Sequence, residues 1–213
     1  VTGVQTCALP ISAIAAFEAH TSLALSITSF PLTRNFTARI QNAPITLSAL
    51  RTTSLTLSAS NAPISIEAET SEADVWNTNG EIRAKLAGEK LVLKAKNSGI
   101  TGSFEVRNTL VLSTSNAAVE AEVALVGEAR RYEVSVGTTN ALVMVEFVEQ
   151  PRGRELRSGV ETTNGLAEVR MHREYEGALK VRFETRGHAE ILTRTTGKYD
   201  EWRRRRRGAE GED

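Results

Sequence analysis

Across the middle of the chain, hydrophobic and polar residues alternate in short stretches that are interrupted at intervals by one kind of turn. Leu55, Leu57 and Ala59 run up to Asn61, and Ile64, Ile66 and Ala68 leave it. Thr56, Ser58, Ser65, Glu67 and Glu69 occupy the places between. Around Asn116 the pattern returns, with Leu110 and Leu112 before it and Val119, Ala121, Val123 and Leu125 after it, the last group separated by Glu120 and Glu122. A period of two belongs to extended backbone, so each stretch predicts a strand with one apolar and one wetted face.

The interrupting turn recurs at Asn42-Ala43-Pro44-Ile45, Asn61-Ala62-Pro63-Ile64, Asn79-Gly80-Glu81-Ile82, Asn97-Ser98-Gly99-Ile100, Asn116-Ala117-Ala118-Val119, Asn140-Ala141-Leu142-Val143 and Asn164-Gly165-Leu166. Successive Asn residues are 19, 18, 18, 19, 24 and 24 positions apart, and a degenerate eighth copy follows at Gly187. Asn and Gly at a turn predict backbone with positive φ, which both accept more readily than other residues. The longer spacings contain charged or Gly/Pro-bearing insertions at 127–131, 150–154 and 172–177. All three fall on the connection opposite the Asn, which places the longer loops at one edge.

The predicted fold is therefore all-β, a repeat protein built as a β-solenoid of about seven to eight coils. Coils of 18 to 24 residues would stack by parallel pairing, with Asn side chains in a ladder along the stack. The alternative is an antiparallel meander or β-sandwich, in which each Asn is a hairpin tip and Asn79-Gly80 and Asn164-Gly165 form type I′ turns. The near-constant period favours the solenoid, because hairpins have no reason to keep it.

Composition sharpens this picture. Hydrophobic residues make up 40% of 213, enough for a buried core, while aromatic residues are only 5%, which suits strands better than stacking platforms. Lys plus Arg, at 26, equals Asp plus Glu, so no field covers the whole molecule and no nucleic-acid partner is expected. No run of about 18 apolar residues is present, so a membrane would be reached only through an anchor N-terminal to this sequence.

Residues 1–12 are set apart, because Val1 to Ile11 reads as a translated short-read sequencing adapter and Ser12 fits its remaining partial codon. The lone cysteine, Cys7, falls within that stretch, so neither disulfide nor thiol chemistry is argued. Residues 13–202 form the expected single β-repeat domain, with Ala13 to Ser29 and Tyr199 to Trp202 as its end caps. Residues 203–213, beginning with Arg203 to Arg207, have the charge and polarity of a disordered tail.

The Ser115-Asn116-Ala117, Thr139-Asn140-Ala141 and Thr163-Asn164-Gly165 copies, together with Tyr175-Glu176-Gly177, resemble an adhesin-like β-repeat family of unknown function, most closely a fungal group. The likeness extends over about residues 35–195, with the copies at Asn97 and Gly187 departing from the pattern. It implies a β-repeat domain, often anchored in a membrane through its N-terminal side, with no established catalytic residues.

Candidate chemistry is sparse. The three Asp residues, Asp74, Asp200 and Asp213, are too scattered to cluster, and Glu67, Glu69, Glu120 and Glu122 have the spacing of a solvated strand face. Two Glu aligned across neighbouring coils would nevertheless suit glycan hydrolysis. His20, His172 and His188 have no partner at metal-ligand spacing, so no metal and no cofactor are expected. Hydrolase, phosphate-loop and dinucleotide motifs are absent from the sequence.

Trp76 and Trp202 are candidate sugar or partner contacts, although Trp76 beside Val75 reads more simply as an edge or core residue. Asn35-Phe36-Thr37 is a sequon for N-glycosylation at Asn35. Ser60, Thr78, Ser115, Thr139 and Thr163, each preceding a repeat Asn, could form an array like that of ice-binding solenoids but are expected to serve turn hydrogen bonds. The Arg203 to Arg207 run could meet an anionic surface inside a cell. The reading that best fits the whole is a non-enzymatic scaffold or surface binding domain, extracellular or at the cell surface, with a cell-wall or surface glycan or protein as partner.

Overall fold

The computed structural model describes residues 16–28, 30–172, 180–183 and 189–190. Gly187, Tyr175 to Gly177, His188, the insertion at 173–177, the adapter-like segment, the segment near Tyr199 to Trp202 and the Arg203 to Arg207 run lie outside them. So do Ala13 to Ala15 and Ser29 of the expected N-terminal cap.

The described residues are all-β and form a β-solenoid. Its strands are β1 (Ala16–Thr21), β2 (Leu25–Ile27), β3 (Phe30–Ile40), β4 (Ile45–Ala59), β5 (Ile64–Asn77), β6 (Ile82–Ala95), β7 (Ile100–Ser113), β8 (Val119–Leu125), β9 (Arg131–Thr138), β10 (Val143–Glu149), β11 (Glu155–Thr162), β12 (Ala167–Arg170), β13 (Lys180–Phe183) and β14 (Ala189–Glu190). They belong to one sheet in which every pairing is parallel. Parallel pairing rules out the meander, since hairpins join antiparallel neighbours. Asn79-Gly80 and Asn164-Gly165 are therefore not hairpin tips.

Each coil has a first limb that leaves the repeat Asn and a second limb that runs to the next one. In β4 to β7 a single long strand passes through both limbs, whereas from β8 onward a loop separates them, so that β8, β10, β12 and β14 stack as first limbs and β9, β11 and β13 as second limbs. Six turns lie between Asn42 and Asn164. Parallel sheets covered on both faces show continuous apolar runs. Here each limb is covered only from inside, by the other limb, so alternation persists.

Register aligns the inward residues in columns. Ile45, Ile64, Ile82, Ile100, Val119, Val143 and Ala167 stack directly after the Asn turn and are at most 1% exposed. Each large aliphatic buried this way contributes about 1.5–3 kcal/mol relative to exposure. At the N-terminal end Phe17 of β1 stacks on Phe36 of β3, with ring centroids 4.7 Å apart and planes at 17°.

Coil length is adjusted at one corner only. In the 19-residue coil after Asn42, Ser48 and Ala49 together oppose the single Glu67, and Ala49 takes φ 52. In the coil after Asn97, Arg107 and Asn108 oppose Glu89. The 24-residue coils instead open into loops between Leu125 and Arg131 and between Glu149 and Glu155. Gly127 (φ 88) and Gly153 (φ 68) turn these loops. Tyr132 is fully buried, and its hydroxyl lies 3.1 Å from the carbonyl of Val126 and 3.0 Å from that of Gly127, tying the first loop down.

Candidate binding faces

The seven repeat Asn residues converge on one edge of the stack. Asn61 Nδ2 donates to Asn42 Oδ1 at 2.6 Å, Asn79 to Asn61 at 2.8 Å, Asn97 to Asn79 at 2.9 Å, Asn116 to Asn97 at 2.9 Å, Asn140 to Asn116 at 2.8 Å and Asn164 to Asn140 at 2.8 Å. This unbroken ladder runs in one direction, each later coil donating to the earlier one. An amide can accept from one neighbour through its oxygen and donate to the next through its nitrogen, without a charge.

The turn itself differs from its expected geometry. Among the repeat Asn residues only Asn42 has positive φ, at 61. Gly80 and Gly165 do not have it either; they are glycines because the chain passes too close to its neighbour. A Cβ on Gly80 would lie 2.0 Å from the carbonyl oxygen of Ala62, and one on Gly165 would lie 1.8 Å from that of Ala141. The repeat thus selects Asn for the ladder and, at these two turns, Gly for close approach.

The turn hydrogen bonds come from the residue before the one expected. Thr114 Oγ1 donates to the Ser98 carbonyl at 2.9 Å, Thr138 to Ala117 at 3.0 Å and Thr162 to Ala141 at 3.1 Å. Asn77, fully buried in the equivalent place, donates through Nδ2 to the Ala62 carbonyl at 2.8 Å and accepts from the Gly80 N–H at 3.2 Å. Ser60, Thr78, Ser115, Thr139 and Thr163 do not make these bonds. Parity identifies the right residue, since Val134 and Val136 point inward and Thr138 continues their side of the strand.

The first-limb face carries a shallow groove with two lobes of ≈ 540 and ≈ 580 Å³, both bordered by Glu67, Lys85, Ser103 and Glu122. Beneath it, a Cβ on Gly102 would lie 1.9 Å from the Ala84 carbonyl oxygen. Ala84, Gly102 and Ala121 stack as the inward column there, so the strands pack closely beneath the groove.

Several groove carboxylates are engaged by cations. Lys85 Nζ is 2.8 Å from Glu67, Arg107 is 3.2 Å and Arg51 3.5 Å from Glu69, and Arg170 is 3.4 Å from Glu146. The hydrogen bond that Lys85 donates to Glu67, then the charge of Glu67, holds the Lys85 ammonium above its ordinary pKa. Glu122 and Glu146 are register partners on β8 and β10, one strand spacing of about 4.8 Å apart at the backbone. On the other face, Glu155 accepts from Arg157 at 2.8 Å and Arg131 at 2.9 Å, which lowers its carboxyl pKa.

The second-limb face holds Trp76, 48% exposed near the C-terminal end of β5. Its exposure corrects the core half of the edge-or-core reading: Ala73, Val75 and Asn77 point inward, so Trp76 points outward. Asn35 is exposed on β3 of the same face, with Phe36 buried beside it.

The two described candidate histidines lie at opposite ends of the stack. His20 lies 2.8 Å from Glu18 at the N-terminal end, and His172 lies near the other end of the described chain. Among the described residues no group of three or more His, Cys, Asp or Glu is placed to hold a metal, and no helix is long and apolar enough to cross a membrane. Comparison of the chain with family models, with curated proteins and with solved structures gives no match.

Proposed function

We propose that this chain is a non-enzymatic, adhesin-like β-repeat module that acts as a scaffold presenting a binding face outside the cell or on its surface. The observation that carries the reading is the Asn ladder. The residue that recurs most regularly in the sequence has its amide occupied in joining one coil to the next, so the repeat serves rigidity and length. A rigid stack offers broad, pre-formed faces, as solenoid binding surfaces do. The exposure of Asn35 supports glycosylation at that sequon if the protein enters the secretory pathway. Anchorage, where it exists, lies N-terminal to the domain, and the resemblance to fungal repeat proteins points to a cell-wall or surface glycan or protein as partner.

A second reading is favoured by Glu122 and Glu146, aligned on adjacent coils beside the groove: a carbohydrate-active enzyme using that pair. One experiment separates the two. The folded chain is applied to arrays of cell-wall polysaccharides and surface proteins, and the same polysaccharides are assayed for new reducing ends. Binding without cleavage supports the module. Cleavage that is lost in both Glu122→Gln and Glu146→Gln would replace it with the enzyme.

A further inference from the structure

We propose that the second-limb face around Trp76 is a binding site for a neutral, pyranose-based glycan. This rests on the binding-module reading and gives it a site and a ligand class. Register places Ser58 and Lys94 on either side of Trp76 in the neighbouring coils, and Asp74 and Thr78 are the outward residues next to it along the chain. The indole Nε1–H reaches Thr78 Oγ1 at 3.4 Å, which anchors the ring to the sheet while it remains 48% exposed.

The surrounding chemistry suits a sugar. A pyranose presents an apolar C–H face to an aromatic ring and a rim of hydroxyls that both donate and accept. Beside the indole stand Asp74, which only accepts when ionised, and Lys94, which only donates. Neither has a hydrogen bond or ion pair among the described residues. Ser58 and Thr56 are short, so the coil next to Trp76 on its N-terminal side leaves the ring uncovered, and Arg39 stands beyond Ser58 in the coil after that. A protein hot spot would instead place its anchor in a dry, closely packed pocket, whereas Trp76 stands on an open sheet ringed by polar groups.

The test uses the full chain carrying Trp202→Phe, which leaves Trp76 as the only indole. Tryptophan emission is followed while hexasaccharides of β-1,3-glucose, β-1,4-N-acetylglucosamine and α-1,6-mannose are added in turn. At least one is expected to shift the emission saturably. Trp76→Ala, read by calorimetry, should weaken that binding about tenfold or more, while Trp76→Phe retains part of it. Asp74→Asn is expected to weaken it by a smaller factor, and Glu128→Gln in the loop between β8 and β9 should leave it unchanged. Thermal unfolding of Trp76→Ala should match that of the parent, because the side chain is outside the core.

Absence of any emission shift, or equal affinity in Trp76→Ala, would overturn the site. If array ligands still bind and their binding is sensitive to first-limb substitutions, the module reading survives and this site alone is rejected. If no ligand binds either face, both are rejected.

Discussion

The two corners of the solenoid solve the same problem, turning the chain from one limb to the other, by opposite means. At the Asn corner every described turn keeps its length, and the ladder and the inward Thr or Asn bonds tie it to the coil beneath. At the opposite corner the chain adds one residue as a bulge or several as a loop, and coils of 18, 19 and 24 residues share one stack. Thr52 and Thr70 make inward bonds there too, Thr52 to Arg34 and Ser54 at 3.2 and 3.0 Å and Thr70 to Thr53 and Glu72 at 3.1 and 2.8 Å, but no ladder follows them. The difference teaches that register in this fold is held at one edge, which leaves the other free to vary.

The strongest way to break that comparison is to lengthen each corner equally. Gly-Ser-Gly-Ser inserted between Asn97 and Ser98 would pull apart the two ladder bonds of Asn97, its backbone bond to Thr78 and the bond from Ser98 to the Gly80 carbonyl. At about 0.5 kcal/mol for each exposed ladder bond and about 1 kcal/mol for each of the other two, this is a loss of about 3 kcal/mol. The same insert between Gly127 and Glu128 only lengthens an existing loop and should cost about 0.6 kcal/mol or less. Urea unfolding of the two variants measures the gap, and equal losses would refute the division of labour.

Most of this architecture is legible in the sequence, because the period and the apolar alternation both come from backbone geometry. Seven Asn in one context and insertions confined to the other connection lead directly to the ladder edge and the loop edge. What was obscured lies within one residue of what was read. In Thr-Ser or Thr-Thr pairs before the Asn, either hydroxyl could turn inward, and only the parity of Val134 and Val136 picks Thr138 over Thr139. The same parity puts Trp76 outside, although its neighbour Val75 suggested a core position.

The glycines were obscured for a different reason. Positive φ and close backbone approach both select Gly, and a sequence does not distinguish them. Gly102 carries the same ambiguity, since nothing in the sequence marks its close approach to the Ala84 carbonyl. Glu122 and Glu146 each stand six residues after a repeat Asn, Asn116 and Asn140, so counting from the Asn makes them register partners on adjacent coils.

A smaller effect sharpens the comparison inside the stack. Asn77 is fully buried, donates to Ala62 and accepts from Gly80, so Asn77→Ala leaves a carbonyl and an N–H unsatisfied at the Asn corner. A loss of about 2–4 kcal/mol is expected for two buried groups. Thr52→Val at the opposite corner keeps the shape and removes one hydroxyl, and about 1 kcal/mol is expected. Thermal unfolding that ranks Thr52→Val as the more damaging would reverse the assignment of the rigid edge.

The smallest effect tests the ladder as a cooperative element. Asn97 donates to Asn79 and accepts from Asn116, whereas Asn42 accepts from Asn61 and donates to no described side chain. All seven amides are exposed, so a partner left behind by substitution can turn to water, and each lost bond falls near the lower end of about 0.5–1.5 kcal/mol. Asn97→Ala should therefore cost about 1–2 kcal/mol and Asn42→Ala about half as much. If bonds in the ladder polarise one another, the middle substitution will exceed twice the terminal one, because it divides one long chain of amides into two short ones. Equal losses at Asn97 and Asn42 would mean that the ladder records the stacking of the coils without contributing to it. Stability would then come from the inward columns of Ile and Leu, and from Asn77, Thr114, Thr138 and Thr162 just inside the turn.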